Sequence, residues 1–293
     1  MPSPRRCIVT TQTNKVAVVT SASGGTDKLD TRINANQRRL RAEIRASYDF
    51  IVCGSGSSGS VVARRLAETG DASVLLLEAG GTDDLPSVSE PNQWHANLKT
   101  ERDWGFEASP NPRLNGRRMP LSMGKVLGGG SSINVMGWAR GHQNDWDYFA
   151  EQTGDSSWGY QSILGIFRSI EDWQGAPDPV RRGTGGLVYV EPARDPNPVA
   201  LAMVEAAGSF GIPTFDDQNG QMMEGAGGGA LFNVRIRDGR RQSVFRAYSY
   251  PYMDRPNLTV LTGALVTHVM LDGNRADGVE FHHQGALHRI RAR

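Results

Sequence analysis

Two glycine-rich segments carry the residue pattern most suited to chemistry in this chain of 293 residues. The first reads GSGSSG and has the GxGxxG spacing of dinucleotide-binding turns. In such a turn Gly54 allows the tight bend, Gly56 lets the backbone approach a pyrophosphate, and Gly59 lets a helix pack closely on a strand. We expect the helix that begins near Ser57 to direct its free amides and positive end at the phosphates.

The flanking sequence supplies the strand, helix and second strand that this motif requires. Residues 48–53 form a short apolar run typical of a buried parallel strand, residues 57–69 have helical spacing, and residues 73–77 form a second strand. Glu78 follows about 20 residues after the glycines, where an acidic side chain accepts hydrogen bonds from a ribose diol. We therefore predict a Rossmann-like βαβ unit that binds a dinucleotide, although this motif alone does not separate NAD from FAD.

The second segment distinguishes between these two cofactors. Residues 124–147 read GKVLGGGSSINVMGWARGHQNDWD, which resembles the first signature of the glucose-methanol-choline (GMC) oxidoreductases. The whole stretch 48–293 is similar to the N-terminal part of that family, nearest to its choline dehydrogenase and alcohol dehydrogenase members. Large side chains such as Trp138 and Trp146 argue against a flexible glycine linker. The resemblance implies FAD as the cofactor, a small-molecule alcohol as the substrate and an electron acceptor that stays open.

The resemblance also implies which residues contact the cofactor. Val126, Ser132 and Asn134 would lie along the flavin and its diphosphate, and the backbone of Val266 would meet the adenine. Some relatives tether the flavin through a histidine near this signature, whereas this chain has Ile133 and Asn134 there, so we expect noncovalent FAD. The expected cofactor contacts are Gly54, Gly56, Ser57, Ser58, Gly59, Glu78, Val126, Gly129, Ser132, Asn134, Val135, Met136, Gly137 and Val266.

The implied reaction is oxidation of the CH–OH group of an alcohol by hydride transfer to flavin N5. Members of this family are considerably longer, and their catalytic histidine would follow Arg293, so we assign no catalytic residue and expect the C-terminal half of the family fold to be missing. The alternatives are a non-catalytic truncated chain that binds nucleotide or associates with another subunit, and an NAD-linked dehydrogenase. No metal site is expected, because His282 and His283 are neighbours that point to opposite faces of a strand.

Composition supports a globular enzyme part. The chain is 38% hydrophobic and 22% charged, and its net charge of +1 gives no reason to expect nucleic acid as a partner. No apolar run approaches the ~20 residues that span a bilayer. We expect a cytoplasmic protein, with the mitochondrial matrix or another organelle as the alternative because the N-terminal residues are basic. The oligomeric state stays open.

The predicted fold class is α/β, with a Rossmann-like FAD-binding domain and the start of an α+β substrate domain. Residues 1–47 form a basic extension that we expect to be poorly ordered. Residues 48–174 are the first part of the FAD-binding domain, residues 175–224 begin the substrate domain, and residues 225–293 return to an incomplete FAD-binding domain.

Overall fold

The structure is a computed structural model that describes residues 23–293. Its helices are α1 (Ser23–Ala42), α2 (Ser57–Ala67), α3 (Pro86–Ser89), α4 (Gln143–Thr153), α5 (Tyr160–Ile170), α6 (Pro198–Ser209) and α7 (Val244–Ala247). Its strands are β1 (Ser47–Tyr48), β2 (Phe50–Cys53), β3 (Val74–Leu77), β4 (Phe106–Glu107), β5 (Pro120–Leu121), β6 (Gly137–Trp138), β7 (Glu171–Trp173), β8 (Val188–Pro192), β9 (Asn233–Val234), β10 (Ile236–Arg237), β11 (Arg240–Arg241), β12 (Leu258–Leu261), β13 (Leu265–Asp272), β14 (Arg275–His283) and β15 (Ala286–Ala292).

The first glycine motif lies on a three-stranded parallel sheet with the order β12, β3, β2. The central strand β3 is completely buried, as its run of four apolar residues requires. Helix α2 connects β2 to β3, which confirms the predicted βαβ unit. Strand β2 is less buried than predicted, since Phe50 is 43% exposed and Cys53 is exposed. The reason is that no strand among residues 23–293 pairs with its outer side.

The two faces of this sheet belong to different hydrophobic clusters. Val74 and Leu76 pack with residues of α1 and α2, whereas Leu75 and Leu77 pack with Phe281 and its neighbours from the antiparallel strands. This division follows from the alternation of side chains along a strand. Strands β1, β15, β14 and β13 form that second sheet. The parallel sheet therefore lies between a layer of helices and the second sheet.

A second mixed sheet has the order β6, β9, β8, β7 and packs with α7 through a third hydrophobic cluster. Residues before, between and after the predicted domain boundaries at 174/175 and 224/225 contribute strands to this sheet. The boundaries themselves remain a prediction. The structure has α7 and then a separate turn of 3-10 helix at Tyr250–Tyr252, because Pro251 has no backbone N–H to continue an α-helix.

Helix α1 corrects the expectation that residues 1–47 are poorly ordered. Residues 1–22 lie outside the described part of the chain, but Ser23–Ala42 form a helix on the first hydrophobic cluster. Ile33 and Leu40 are buried, and the polar Gln37 between them is only 2% exposed. These positions are spaced i, i+4, i+7 and therefore form one face of the helix.

Gln37 and Arg41 bond to the outer edge of β12. Gln37 Nε2 donates to Leu258 O and to Met253 O, each at 2.8 Å, and Gln37 Oε1 accepts from Val260 N at 2.9 Å. Arg41 Nε donates to Val260 O at 2.7 Å. Backbone groups at a sheet edge need partners once they are buried. Helix side chains supply those partners here, in the place that a fourth strand would take.

We predict that Gln37→Leu destabilises the chain by about 1–3 kcal/mol, because it leaves buried backbone groups of β12 without partners. The melting temperature should fall by about 2–4 °C for each kcal/mol. Urea unfolding followed by circular dichroism measures the change. The matched control is Arg38→Leu, which alters the exposed side of the same helix. Equal stability of the two variants would contradict the edge-capping role of Gln37.

Candidate cofactor-binding site

The two glycine segments are in direct contact. Gly128 N lies 3.1 Å from Ser55 O and 3.2 Å from Ser55 Oγ, and it donates to both. A Cβ atom added to Gly129 would lie only 2.8 Å from Gly56 Cα. The segments that the sequence assigns to a single site therefore form one continuous surface.

Glu78 fixes the first glycine turn to the end of β3. Its Oε2 accepts from Ser55 N at 2.8 Å and from Ser55 Oγ at 2.6 Å, and its Oε1 accepts from Gly80 N at 2.8 Å. The side chain is buried, at 4% exposure. A carboxylate offers about four acceptor positions, and three of them are occupied by these donors. The carboxylate thus connects the first glycine turn to the backbone after β3. Its contact with a ribose remains a prediction.

The first turn has the backbone geometry that the sequence predicts. Gly54 has a φ of +90°, and a Cβ on Gly59 would overlap Gly54 O, so the tight turn and the close helix packing are confirmed. A Cβ on Gly56 would meet no atom within 4 Å. No side chain caps the N-terminus of α2. An uncapped helix start beside open space can accept an anionic group such as a diphosphate.

Glycines outside the predicted set bring the loops of the site together. Gly81 and Val126 form a parallel bridge, and Leu127 N donates to Gly81 O at 3.0 Å. A Cβ on Gly80 would overlap Lys125 O. The backbone after β3 and the backbone of the second glycine segment therefore lie too close together for a side chain at position 80.

The predicted residues of the second segment divide into buried and exposed groups. Val126 and Ser132 are buried, and the Ser132 hydroxyl donates to Leu127 O at 2.6 Å. Their side chains therefore face protein atoms. Asn134 and Val135 are exposed, although Asn134 Oδ1 already accepts two hydrogen bonds from the protein.

Met136 is buried and Gly137 is half-buried, and these two residues lead from Val135 into β6. Met136 has a φ of +60°, and its N–H donates to Asn134 Oδ1 at 3.0 Å. A Cβ on Gly137 would lie 3.3 Å from the Phe232 ring. The stretch is therefore held in a defined, left-handed turn before β6 begins.

Val266 belongs to a different strand, β13, and lies half-buried on the second sheet. Ala264 N donates to Glu78 O at 2.8 Å, and Gly263 N donates to Gly80 O at 2.9 Å. These bonds bring the start of β13 to the carboxyl end of β3. The structure therefore places the start of β13 beside Glu78, and Val266 lies two residues after the bonded Ala264.

Several residues of the site were not predicted. One of them is Ser55, which lies inside the glycine motif. A hydroxyl at this position and an acid, Glu78, 23 residues later could have indicated the hydrogen bond between them. Arg241 donates through Nη1 to Asn134 Oδ1 at 2.9 Å, and no local pattern indicates that contact because 107 residues separate the two. Arg246 forms two bonds with Asp83, at 2.6 and 2.9 Å. Burial raises the pKa of Asp83, against the opposing charge of Arg246.

Over residues 23–293, no helix is long and apolar enough to cross a membrane. The same part of the chain contains no group of three or more His, Cys, Asp or Glu side chains that could hold a metal ion.

Comparisons with known proteins identify the family of this chain. The family model described as GMC oxidoreductase matches residues 48–293. The oxygen-dependent choline dehydrogenase of Brucella suis is 40% identical over 247 residues, which cover 84% of this chain and 44% of that protein. The corresponding enzyme of Rhizobium etli is 39% identical over 246 residues, which cover 83% and 44%. The chain thus spans less than half the length of these relatives.

Solved structures show the same relationship. Pyridoxine 4-oxidase from Mesorbium loti superposes with a TM-score of 0.77 at 32% identity, over 83% of this chain and 48% of that one. An FAD-dependent oxidoreductase from Chaetomium thermophilum gives a TM-score of 0.74 at 27% identity, over 84% and 44%. The predicted α/β fold class and the predicted resemblance are both confirmed. This chain belongs to the GMC oxidoreductase family.

Proposed function

We propose that this chain binds FAD noncovalently across its two glycine segments and forms the cofactor-binding part of an oxidoreductase that oxidises the CH–OH group of a small alcohol. The observation that carries the proposal is the contact of Gly128 and Gly129 with Ser55 and Gly56. The relatives include a choline dehydrogenase and a pyridoxine 4-oxidase, which supports redox chemistry on an alcohol.

The residues at the site fit the parts of FAD in order. The uncapped start of α2, with Ser57 and Ser58, would hold the diphosphate. Glu78 would use its remaining acceptor position for the ribose, and Val266 on the adjoining strand would meet the adenine. The backbone from Asn134 onward would lie along the flavin ring.

Noncovalent binding is supported by the residue at the tethering position. Ile133 is buried and its side chain has no nucleophilic atom, so it can form no bond to the flavin. FAD, when bound, supplies the hydride acceptor. This chain's own residues bind and orient the cofactor, and the glycine contacts exclude water from one side of it. We assign the catalytic base to none of them.

A second candidate is a nucleotide-binding chain that acts by associating with another polypeptide. The observation that favours it is α6, which buries none of its residues although it is strongly apolar. Exposed apolar side chains of this helix and its C-terminal end include Val199, Leu201, Met203 and Phe210. Large exposed apolar side chains concentrated on one element are typical of an interaction site.

We predict that Gly56→Val weakens FAD binding at least about tenfold while leaving the fold intact, because the new side chain enters the open space that the diphosphate needs. FAD titration by fluorescence quenching measures the affinity, and circular dichroism checks the fold. Gly165→Val in α5 is the control, since a Cβ there also meets no atom within 4 Å. FAD affinity equal to that of the parent chain in Gly56→Val would contradict the proposed diphosphate position.

We predict that the FAD-loaded chain alone is reduced by alcohol about 10²- to 10⁴-fold more slowly than a full-length relative, since none of its residues is assigned as a positioned base. Anaerobic loss of flavin absorbance after addition of choline or pyridoxine measures the rate. Reduction at the full-length rate would show that a base lies within this chain. Tighter binding of NADH than of FAD would instead favour an NAD-linked enzyme.

A further inference from the structure

Two hydrogen bonds from the protein fix the orientation of the Asn134 side-chain amide. Met136 N lies 3.0 Å from Asn134 Oδ1, and Arg241 Nη1 lies 2.9 Å from the same atom. A backbone N–H and a guanidinium can only donate hydrogen bonds. The atom that faces both of them must therefore be the amide oxygen, and the exchanged orientation, with Nδ2 in that place, is excluded.

Because the oxygen is held, the amide nitrogen is the free end of the Asn134 side chain. Nδ2 carries two N–H donors, and among residues 23–293 it forms no hydrogen bond. Asn134 is exposed, whereas Ile133 before it and Met136 after it are buried. The second glycine segment therefore presents an unused side-chain donor at its exposed point, on the side away from Arg241.

Arg241 reaches this amide from a distant part of the chain and is itself firmly held. The side chain is 6% exposed. Its Nε donates to Val88 O at 2.7 Å, and its Nη1 also donates to Ser131 O at 3.2 Å. These two bonds go to backbone carbonyls, so they connect α3 and the second glycine segment to β11. The bond to Asn134 is of another kind, because it sets the direction of a side chain.

The positive charge of Arg241 has no carboxylate partner in the described chain. The nearby Arg246 pairs with Asp83 at 2.6 Å, whereas Arg241 forms no ion pair among residues 23–293. Burial lowers the pKa of Arg241 to about 10, so its guanidinium remains protonated at neutral pH. A charged donor polarises the amide that accepts from it, which makes the N–H groups at the other end of that amide stronger donors.

The chain that follows β11 holds the second glycine segment independently of the Arg241 side chain. Val244 N donates to Ser131 Oγ at 3.0 Å, and Ser131 Oγ donates to Gly128 O at 2.6 Å. These bonds do not involve the guanidinium. The segment therefore stays attached when the Arg241 side chain is changed, and the effect on Asn134 can be measured separately.

We propose that Arg241 is a positioning residue for the cofactor, which fixes Asn134 so that its Nδ2 donates to an acceptor atom of the flavin ring. This proposal rests on the proposed function, which places the backbone from Asn134 onward along that ring. The ring of oxidised flavin carries carbonyl oxygens and unprotonated nitrogens, which accept hydrogen bonds from an amide. The diphosphate is placed elsewhere, at the start of α2, and is not the acceptor.

Asn134→Asp in the full 293-residue chain tests the donor without changing Arg241. Aspartate keeps an oxygen for Met136 N and gives Arg241 a counter-charge, but it replaces the outward donor with a second oxygen. Without FAD the variant should melt at or above the wild-type temperature. Its FAD affinity, measured by fluorescence quenching, should fall at least about tenfold.

Two controls separate the flavin from other causes. Calorimetric titration with ADP, which has the diphosphate but no flavin, should give Asn134→Asp the wild-type affinity. Asn274→Asp adds the same charge in the exposed turn between β13 and β14, and it should bind FAD as wild type does. FAD affinity of Asn134→Asp equal to that of wild type, or loss of ADP binding together with FAD binding, would overturn the proposal.

A double-mutant cycle tests whether Arg241 acts through Asn134. Arg241→Met and Asn134→Ala should each weaken FAD binding, and the double variant should bind FAD no more weakly than Asn134→Ala alone. Arg241→Lys should recover part of the affinity, since lysine retains a charged donor without the planar fork, and it replaces Arg241→Met in the cycle if that variant does not fold.

Additive effects of the two substitutions would show that Arg241 acts without Asn134 and would overturn its positioning role. The wild-type titration distinguishes this failure from failure of the proposed function. A wild-type chain that binds FAD while the variants show no such coupling leaves the proposed function standing. A folded wild-type chain that binds no FAD removes both.

Discussion

The hydrogen bonds of Ser55 hold the candidate site together. Its N–H and hydroxyl donate to Glu78, while its hydroxyl oxygen and carbonyl accept from Gly128 N. These groups are buried, so each bond is electrostatically stronger than in water, and breaking one would leave an unsatisfied polar group. The first glycine turn, the end of β3 and the second glycine segment therefore keep their arrangement through protein contacts alone.

The glycines make this junction possible because they let backbones approach directly. A Cβ would overlap Gly54 O at Gly59, Lys125 O at Gly80, and Gly129 O at Gly124. Larger residues at these positions would force the segments apart. The consequence is a junction made of backbone amides and carbonyls with little side-chain bulk. Such a surface suits phosphate groups and a flat ring system, and its shape depends on few rotatable bonds.

The sequence predicts those parts of the fold that neighbouring residues determine. The apolar run of β3, the helix after GxGxxG and the hairpins of β13 to β15 follow from local patterns, and the structure contains them. The contact of Gln37 with Val260 joins residues 223 positions apart, and that of Arg241 with Ser131 joins residues 110 apart. A backbone group needs such a partner only if it lies at a buried edge of the assembled sheet. Local sequence patterns therefore do not reveal these bonds. For α1, the basic composition favoured a poorly ordered segment, although the spacing of Ile33 and Leu40 indicates an apolar helix face.

Helix α1 also shows that the folded unit of this chain extends beyond its family match, which begins at residue 48. Ile33 packs in the same cluster as Leu258 and Val260, and Gln37 bonds to the edge of their strand. The two edges of the parallel sheet consequently differ. The outer edge of β12 is covered by α1, whereas the outer edge of β2 has no strand partner among residues 23–293. Because unpaired edge groups are the ones that accept another strand, any polypeptide that extends this sheet must do so at β2.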